Sequence, residues 1–281
     1  MIVIKGLLSV EMLYGAWIKV KKNRAAGGID GEDTAGFEED AETNLEKLIR
    51  DVLSRKYKPF PARLVEIPKE NGGIRPITVF CIRDKILQTA INYYLEFAFG
   101  EKFSESCFGF RRHRGISDAV TYVASKISRD TQIFVKADIE NFFGSIDREL
   151  LLEILVNNNI HPEAVRLIDM WINSPYARGS RLYKNVKGIP QGLPLSPTLS
   201  NIYLTGFDRF AENADIKMAR YSDDMLILAD SAGDALYKLN KLHGYLIKKR
   251  RLNFNPEKIY IVRSEEGIEF LGKKIRTQNS Q

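Results

Sequence analysis

Apolar residues recur with helical spacing over residues 8–22, where Leu8, Met12, Ala16 and Val20 share one face. Residues 36–55 carry a second helical pattern. The stretch Tyr57-Lys58-Pro59-Phe60-Pro61 closes it, because proline cannot continue a helix. Extended runs follow at 62–68 and 74–79, separated by Lys69-Glu70-Asn71-Gly72-Gly73. An Asn-Gly step between apolar runs predicts a β-hairpin. Residues 82–100 and 117–128 read as helices, and a strand is expected around Val135. Asp147 is placed to cap a helix over 148–157, and 162–173 is helical. Short strands at 181–183 and 186–188 lead to Pro190-Gln191-Gly192, and a helix is expected over 197–213. Runs at 216–221 and 225–229 predict a hairpin with an Asp pair at its tip. An amphipathic helix over 234–251 and strands at 259–263 and 268–275 complete the chain. This order predicts an α+β fold with an antiparallel sheet core, not a doubly wound α/β fold.

The chain has 281 residues, 44% hydrophobic and 28% charged, the profile of a globular protein. No run of about 18 apolar residues is present, which argues against a membrane span. The apolar start lacks a basic n-region and a small-residue cleavage site, so it reads as structure and not as a signal peptide. Cys81 and Cys107 are the only cysteines, which fits a reducing cytoplasm. A net charge of +6 is compatible with nucleic acid without establishing it. Basic clusters at 19–24, 50–63, 111–114 and 248–251, two of them interleaved with Tyr57, Phe108 and Phe110, suit phosphates and bases together.

The costliest feature is Tyr221-Ser222-Asp223-Asp224, two adjacent carboxylates with apolar residues on both sides. Like charges repel, and burial disfavours ionisation. A third carboxylate, Asp138, ends another apolar run, Ile133-Phe134-Val135-Lys136-Ala137. Acidic residues at the ends of two apolar strands point to a hard divalent-metal site of the kind used in phosphoryl transfer, where two ions stand roughly 3.5–4 Å apart. Asp138 and Asp223 are the primary candidate ligands, with the backbone carbonyl of Ile139 able to complete a shell and Asp224 as a secondary ligand or support. His113, His161 and His243 show no metal spacing.

Three longer blocks resemble those of a reverse transcriptase of the bacterial group II intron-encoded, maturase-like type. They are Phe134-Val135-Lys136-Ala137-Asp138-Ile139-Glu140-Asn141-Phe142-Phe143-Gly144, Gly188-Ile189-Pro190-Gln191-Gly192-Leu193-Pro194-Leu195-Ser196-Pro197, and Tyr221-Ser222-Asp223-Asp224. Further similarity lies in Ala26-Gly27-Gly28-Ile29-Asp30-Gly31, Arg63–Lys69 with Gly72–Ile77, Arg83–Gln88, Cys107–Arg111, Leu252–Lys258 and Phe270-Leu271-Gly272, so that it spans roughly 25–275. The resemblance implies a right-hand polymerase fold: an N-terminal extension and fingers over 1–130, with 160–190 partly fingers-associated, and a palm over 131–281 whose antiparallel sheet packs on helices. A thumb is expected to be absent or supplied elsewhere, by a protein or RNA partner, with weak duplex binding as the consequence.

The implied activity is RNA-directed DNA synthesis: attack of a primer 3′-hydroxyl on the α-phosphate of a dNTP, with two Mg²⁺ ions (Mn²⁺ as substitute), one activating the hydroxyl and one stabilising pyrophosphate. Partners are an RNA template, a DNA or RNA primer and dNTPs, with no membrane. The resemblance assigns catalysis to Asp138, Asp223, Asp224 and Lys258, the last toward the leaving pyrophosphate. Nucleotide binding falls to Lys69, Arg75, Asn141, Phe142, Phe143 and Gln191, with Phe143 excluding a 2′-hydroxyl. Nucleic-acid contacts fall to Arg63, Arg111, Arg112, Arg114, Gly192 and, at the primer end, Phe270, Leu271 and Gly272. Two residues depart from the usual pattern. Ser222 stands where alanine is common and fits the same turn, and Leu193 follows Gly192 where a small residue is usual, with bulk expected near the template. Two other functions stay open: a defence-associated enzyme making DNA without a template or from a protein primer, and an inactive RNA-binding assembly subunit, which the intact aspartates argue against.

Overall fold

The computed structural model describes residues 9–68 and 72–277. In chain order the helices are α1 Val10–Lys22, α2 Thr34–Glu39, α3 Ala41–Leu53, α4 Ile82–Phe99, α5 Ile116–Lys126, α6 Phe142–Ser145, α7 Arg148–Asn157, α8 Pro162–Ile172, α9 Ser196–Asn213 and α10 Ala232–Tyr245. The strands are β1 Ala62–Pro68, β2 Ile74–Val79, β3 Ile133–Asp138, β4 Tyr176–Arg178, β5 Arg181–Tyr183, β6 Met218–Tyr221, β7 Asp224–Ala229, β8 Tyr260–Arg263, β9 Ile268–Phe270 and β10 Lys273–Ile275. The fold is α+β, as the pattern predicts. The chain forms two compact units, each from two segments: residues 1–100 with 148–196, and residues 101–147 with 197–281. The chain passes between the units three times, after residues 100, 147 and 196, and 101–130 belongs to the unit that contains β3.

In the first unit, α4 buries polar as well as apolar side chains: Asp84, Lys85, Gln88 and Thr89 lie inside together with Ile82, Ile86, Leu87, Ala90, Ile91, Leu95 and Phe99. It is the central helix of that unit's core, and α1 packs on it. The buried face of α1 is Leu13, Ala16, Trp17 and Val20; Met12, expected on that face, lies beside it because the stripe centres on Trp17. Leu8 lies outside the described residues. The helix expected over 36–55 is interrupted at Asp40, where the backbone leaves helical geometry between α2 and α3. Strands β2, β1, β4 and β5 form one sheet in that order, antiparallel except for the parallel pair β1–β4. Residues 186–188 are not a strand: β5 pairs instead with β4 across a tight turn at Gly179.

The second unit is built on an antiparallel sheet in the order β6-β7-β3-β8. β7 is buried along its length, with α10 packed on β7 and β3. Phe108, Val123, Phe134, Leu226, Leu228, Phe270 and Ile275 form a core shared with α5 and the β9–β10 hairpin. The run 268–275, expected as one strand, is that hairpin, because Leu271 and Gly272 both take positive φ (53° and 73°) and turn the chain. The helix expected over 234–251 ends its α-helical part at Tyr245 and continues as a π-helical turn, Leu246–Arg250. Among the described residues no helix is long and apolar enough to cross a membrane.

A buried polar triad ties the first unit together. The Tyr57 hydroxyl donates to Asp84 Oδ1 at 2.5 Å and accepts from Trp171 Nε1 at 2.9 Å. Burial pushes the Asp84 carboxyl up to about 6. A carboxyl whose folded pKa is raised binds its proton more tightly folded than unfolded. Its contribution to stability is complete below about pH 4 and is lost as pH rises through 6. Asp84→Asn, which keeps the acceptor for Tyr57, should flatten the stability change between pH 4 and 6 by about 1–3 kcal/mol. Urea midpoints across that range measure it.

Candidate active site

Strand register assembles the acidic residues at one end of the second unit's sheet. β3 and β7 run antiparallel with Asp138 directly opposite Asp224. The Ile139 N–H donates to the Asp223 carbonyl at 3.3 Å, extending the ladder past the strand end. Tyr221 pairs with Asp224 across a two-residue turn, Ser222-Asp223. The segment after the π-helical turn joins them. Glu140 N–H donates to the Asn253 carbonyl at 3.0 Å and Asn255 N–H to the Asp138 carbonyl at 2.8 Å. The Asn255 side chain then accepts from Glu257 N–H and caps the 3-10 turn Pro256–Lys258. That cap aims Lys258 Nζ at Asp138 Oδ1, 3.0 Å away.

Asp138 and Asp224 are held where their charges are costly. Burial raises the Asp138 pKa, the Lys258 hydrogen bond lowers it, and Asp223 raises it again. Burial likewise pushes Asp224 up to about 6, with Lys136 working against this and Asp138 and Asp223 adding to it. Lys136 Nζ lies 3.6 Å from Asp224 Oδ2. It sits two residues before Asp138 and so on the same face of β3, diagonal to Asp224, the spacing at which cross-strand charges meet. Burial works against the Lys258 charge, but the Asp138 hydrogen bond and the other carboxylates outweigh it and hold its pKa above the usual lysine value. Asp224 Oδ1 is buried and has no hydrogen-bond partner among the described residues.

The turn itself needs support. Ser222 has φ 61° at the first turn position, where this geometry favours glycine. The Ser222 carbonyl accepts from Arg220 Nη1 at 2.9 Å. Arg220 is fully buried, and its other donors reach Asp208 Oδ1 (2.7 Å) and Oδ2 (2.5 Å), Asn201 Oδ1 (3.0 Å) and Cys107 Sγ (3.1 Å). Asn201 and Asp208 are seven residues apart on α9, two turns along one face. Asn201 Nδ2 also donates to the Gly109 carbonyl at 2.7 Å. A Cβ on Gly109 would stand 2.6 Å from the Ser222 nitrogen, so only glycine lets this loop lie against the turn.

A family model described as reverse transcriptase (RNA-dependent DNA polymerase) matches residues 67–275. The chain belongs to the reverse transcriptase family. Group II intron-encoded protein LtrA of Lactococcus lactis subsp. cremoris is 28% identical over 267 residues, covering 89% of this chain and 44% of LtrA. The putative COX1/OXI3 intron 2 protein of Saccharomyces cerevisiae is 26% identical, covering 98% of this chain and 39% of that protein. The chain thus spans less than half the length of these two relatives. A solved telomerase structure from Candida albicans, in complex with a fragment of telomeric RNA, shares the fold: TM-score 0.63 at 15% identity over 87% of this chain and 49% of that one. The right-hand polymerase fold class expected from the sequence is the one found.

Several residues singled out in the sequence make contacts within the protein. Phe142 is 2% exposed and Phe270 is fully buried, so their rings pack inward; only Phe143 of the Phe142–Phe143 pair is half-exposed, and only the Leu271-Gly272 turn is accessible beside Phe270. Asn141 takes a left-handed conformation, φ 42°, and its side chain covers Gly144. Arg111 Nη1 donates to the Ser104 and Cys107 carbonyls, and Arg114 Nη1 to the Glu105 carbonyl, so both brace the loop; Arg112 is exposed. In the first unit, Arg63 donates to the Gly27 carbonyl at 3.0 Å. Arg63 and Arg75 share one face of the β1–β2 hairpin by register, and Lys69 lies outside the described residues. The Gln191 carbonyl accepts from Thr78 N–H (2.7 Å) and Oγ1 (2.8 Å). Gly192, φ 105°, is required by β2 itself, because a Cβ would meet the Thr78 carbonyl oxygen at 2.3 Å. Leu193 is buried at 1% exposure, so its bulk fills the core and does not face a template.

Sequence reasoning missed Lys136, Asn201, Asp208 and Arg220. Their signals were present: a lysine two positions before Asp138, and an arginine buried in a strand with one aspartate on an apolar helix. Arg220→Met should cost about 3–5 kcal/mol, because it strands the buried Asp208 charge. Adding Asp208→Leu should recover most of that stability in thermal denaturation while leaving the Ser222 carbonyl without its donor.

Proposed function

We propose that this chain carries the nucleotidyl-transfer centre of an RNA-directed DNA polymerase. The observation that carries the reading is the register that sets Asp138 opposite Asp224, with Asp223 beside them in a supported turn. We assign the palm to the second unit and the fingers to the first. Two Mg²⁺ ions, with Mn²⁺ as substitute, would be held by Asp138, the Ile139 carbonyl, Asp223 and Asp224. The donor set is all oxygen, which suits a hard cation, and the orphaned Asp224 Oδ1 is an acceptor in need of one. Among the described residues no three His, Cys, Asp or Glu side chains form a ready-made metal centre; Lys136 and Lys258 instead pair with Asp224 and Asp138. Bound there, divalent ions supply charge neutralisation at the primer hydroxyl and the phosphates.

The protein's own residues supply position and charge. Lys258, protonated and tethered to Asp138, is set to neutralise or protonate pyrophosphate as it leaves. Phe143, the half-exposed ring after the left-handed Asn141, is assigned the place beneath the deoxyribose, where its bulk leaves no room for a 2′-oxygen. Gln191 and Arg75, with Lys69, serve the incoming nucleotide and template, and Arg63 and Arg112 the nucleic-acid backbone. The Leu271-Gly272 turn is assigned to the primer end. Template, primer and dNTPs are the substrates.

Purified protein with Mg²⁺, labelled dNTPs and poly(rA)/oligo(dT) tests the reading. Template-dependent incorporation is expected. Asp223→Asn should lower it by about 10²–10³-fold or more, on the scale of losing one preorganised transition-state contact. Phe143→Ala should admit ribonucleotides. Retention of full activity by Asp223→Asn overturns the metal assignment, and synthesis without template by the wild-type protein overturns the templated reading.

A further inference from the structure

The β4–β5 hairpin of the first unit has a composition unlike the rest of its sheet. Residues 176–187 include Arg178, Arg181, Lys184 and Lys187 and no acidic residue. In register, Tyr176 stands opposite Tyr183 and Arg178 opposite Arg181. Side chains alternate along a strand, so these four residues share one face and Ala177 and Leu182 take the other. The two tyrosine rings are stacked, with centroids 5.6 Å apart and planes 16° apart. β5 is an edge strand, and Tyr183 is 40% exposed, Leu182 62% and Val186 84%. Arg178 reaches Glu66 at 2.8 Å, while Arg181, Lys184 and Lys187 are exposed. The hairpin is firmly mounted: Arg148 donates to the Asn185 carbonyl at 2.7 Å and the Gly188 carbonyl at 2.5 Å.

Cations alone would protect an edge strand from pairing with another chain. That role does not require an exposed aromatic ring on the same face, or Leu182 and Val186 left in solvent. Stacked aromatics beside cations form the platform on which unpaired bases stack while their phosphates are neutralised. Duplex hides its base faces, so such a platform selects single strands.

We propose that this face of the β4–β5 hairpin binds the single-stranded part of the RNA template. A base stacks on the outer face of Tyr183, and Arg178 and Arg181 on the same face lie along the phosphates. The inference rests on the polymerase reading and deepens it, naming a template contact that precedes Gln191 by a few residues in the chain.

Binding without catalysis separates the two. Fluorescence anisotropy, without dNTPs, compares an RNA/DNA hybrid bearing a 5′ single-stranded RNA overhang with a blunt hybrid of the same duplex. Tyr183→Leu should weaken binding of the overhang substrate by about tenfold and leave the blunt one unchanged. Tyr183→Phe should restore it. Arg181→Gln should reduce the salt dependence of overhang binding by about one released counterion. Equal loss on both substrates would mean that the hairpin meets duplex, and no loss in either variant would mean that it only guards the edge; each overturns the proposal. Asp223→Asn should keep overhang binding intact. An inactive wild-type protein with overhang-dependent, Tyr183-sensitive binding therefore sinks the polymerase reading alone.

Discussion

The Arg220 guanidinium is the contact on which the acidic site depends. An arginine has five N–H donors, and here five acceptors meet them: both Asp208 oxygens, the Asn201 side-chain oxygen, the Cys107 sulfur and the Ser222 carbonyl. Burying a charge this completely is tolerable only when every donor is used and an opposite charge is bidentate. The arrangement links three segments far apart in sequence: the loop at Cys107, helix α9 and the turn before Asp223. A serine at positive φ is thereby held in a conformation that would otherwise relax. The position of Asp223 follows from the residues behind it, none of which touches the site directly.

The carboxylates stand in the opposite condition. Their charges are poorly satisfied: burial raises Asp138 and Asp224 alike, and one oxygen of Asp224 has no partner among the described residues. Lys136 and Lys258 offset part of that cost from two sides. A rigid, fully bonded support beneath an under-satisfied surface is the pattern expected of a site built to receive cations and phosphates. Stability alone would not retain it, since apolar residues at those strand ends would pack at lower cost.

Much of this was legible in the sequence, for a physical reason. Strand hairpins and amphipathic helices advertise themselves through period, and an acidic pair among apolar residues is a visible electrostatic anomaly. The α+β class, the β1–β2 hairpin and the Asp223–Asp224 tip followed from those signals. Side-chain direction did not. Phe142 and Phe143 are adjacent in sequence, yet one ring is core and the other half-exposed, because the left-handed Asn141 sets the phase of the short helix that follows. Period also fails where the backbone changes type within an apolar run: 268–275 looks like one strand until Leu271 and Gly272 reverse it, and Tyr245 passes from α to π geometry without a change of pattern. Both units are discontinuous, and contact between distant segments leaves no local trace in the sequence.

The glycines of the family-like blocks show why a motif can be read correctly for the wrong reason. Gly192 was expected to admit a ligand, but the atom it admits is the Thr78 carbonyl oxygen of β2. Gly109, in the Cys107–Arg111 block, admits the backbone of the Ser222 turn. Both positions fix one piece of main chain against another at distances that no side chain permits. The residues proposed to touch substrate are held by neighbours whose requirement is closeness, and a sequence pattern records the two kinds of need in the same letters. Gln191 shows them together: its carbonyl is committed to Thr78, and that commitment presents its half-buried side chain from a fixed backbone.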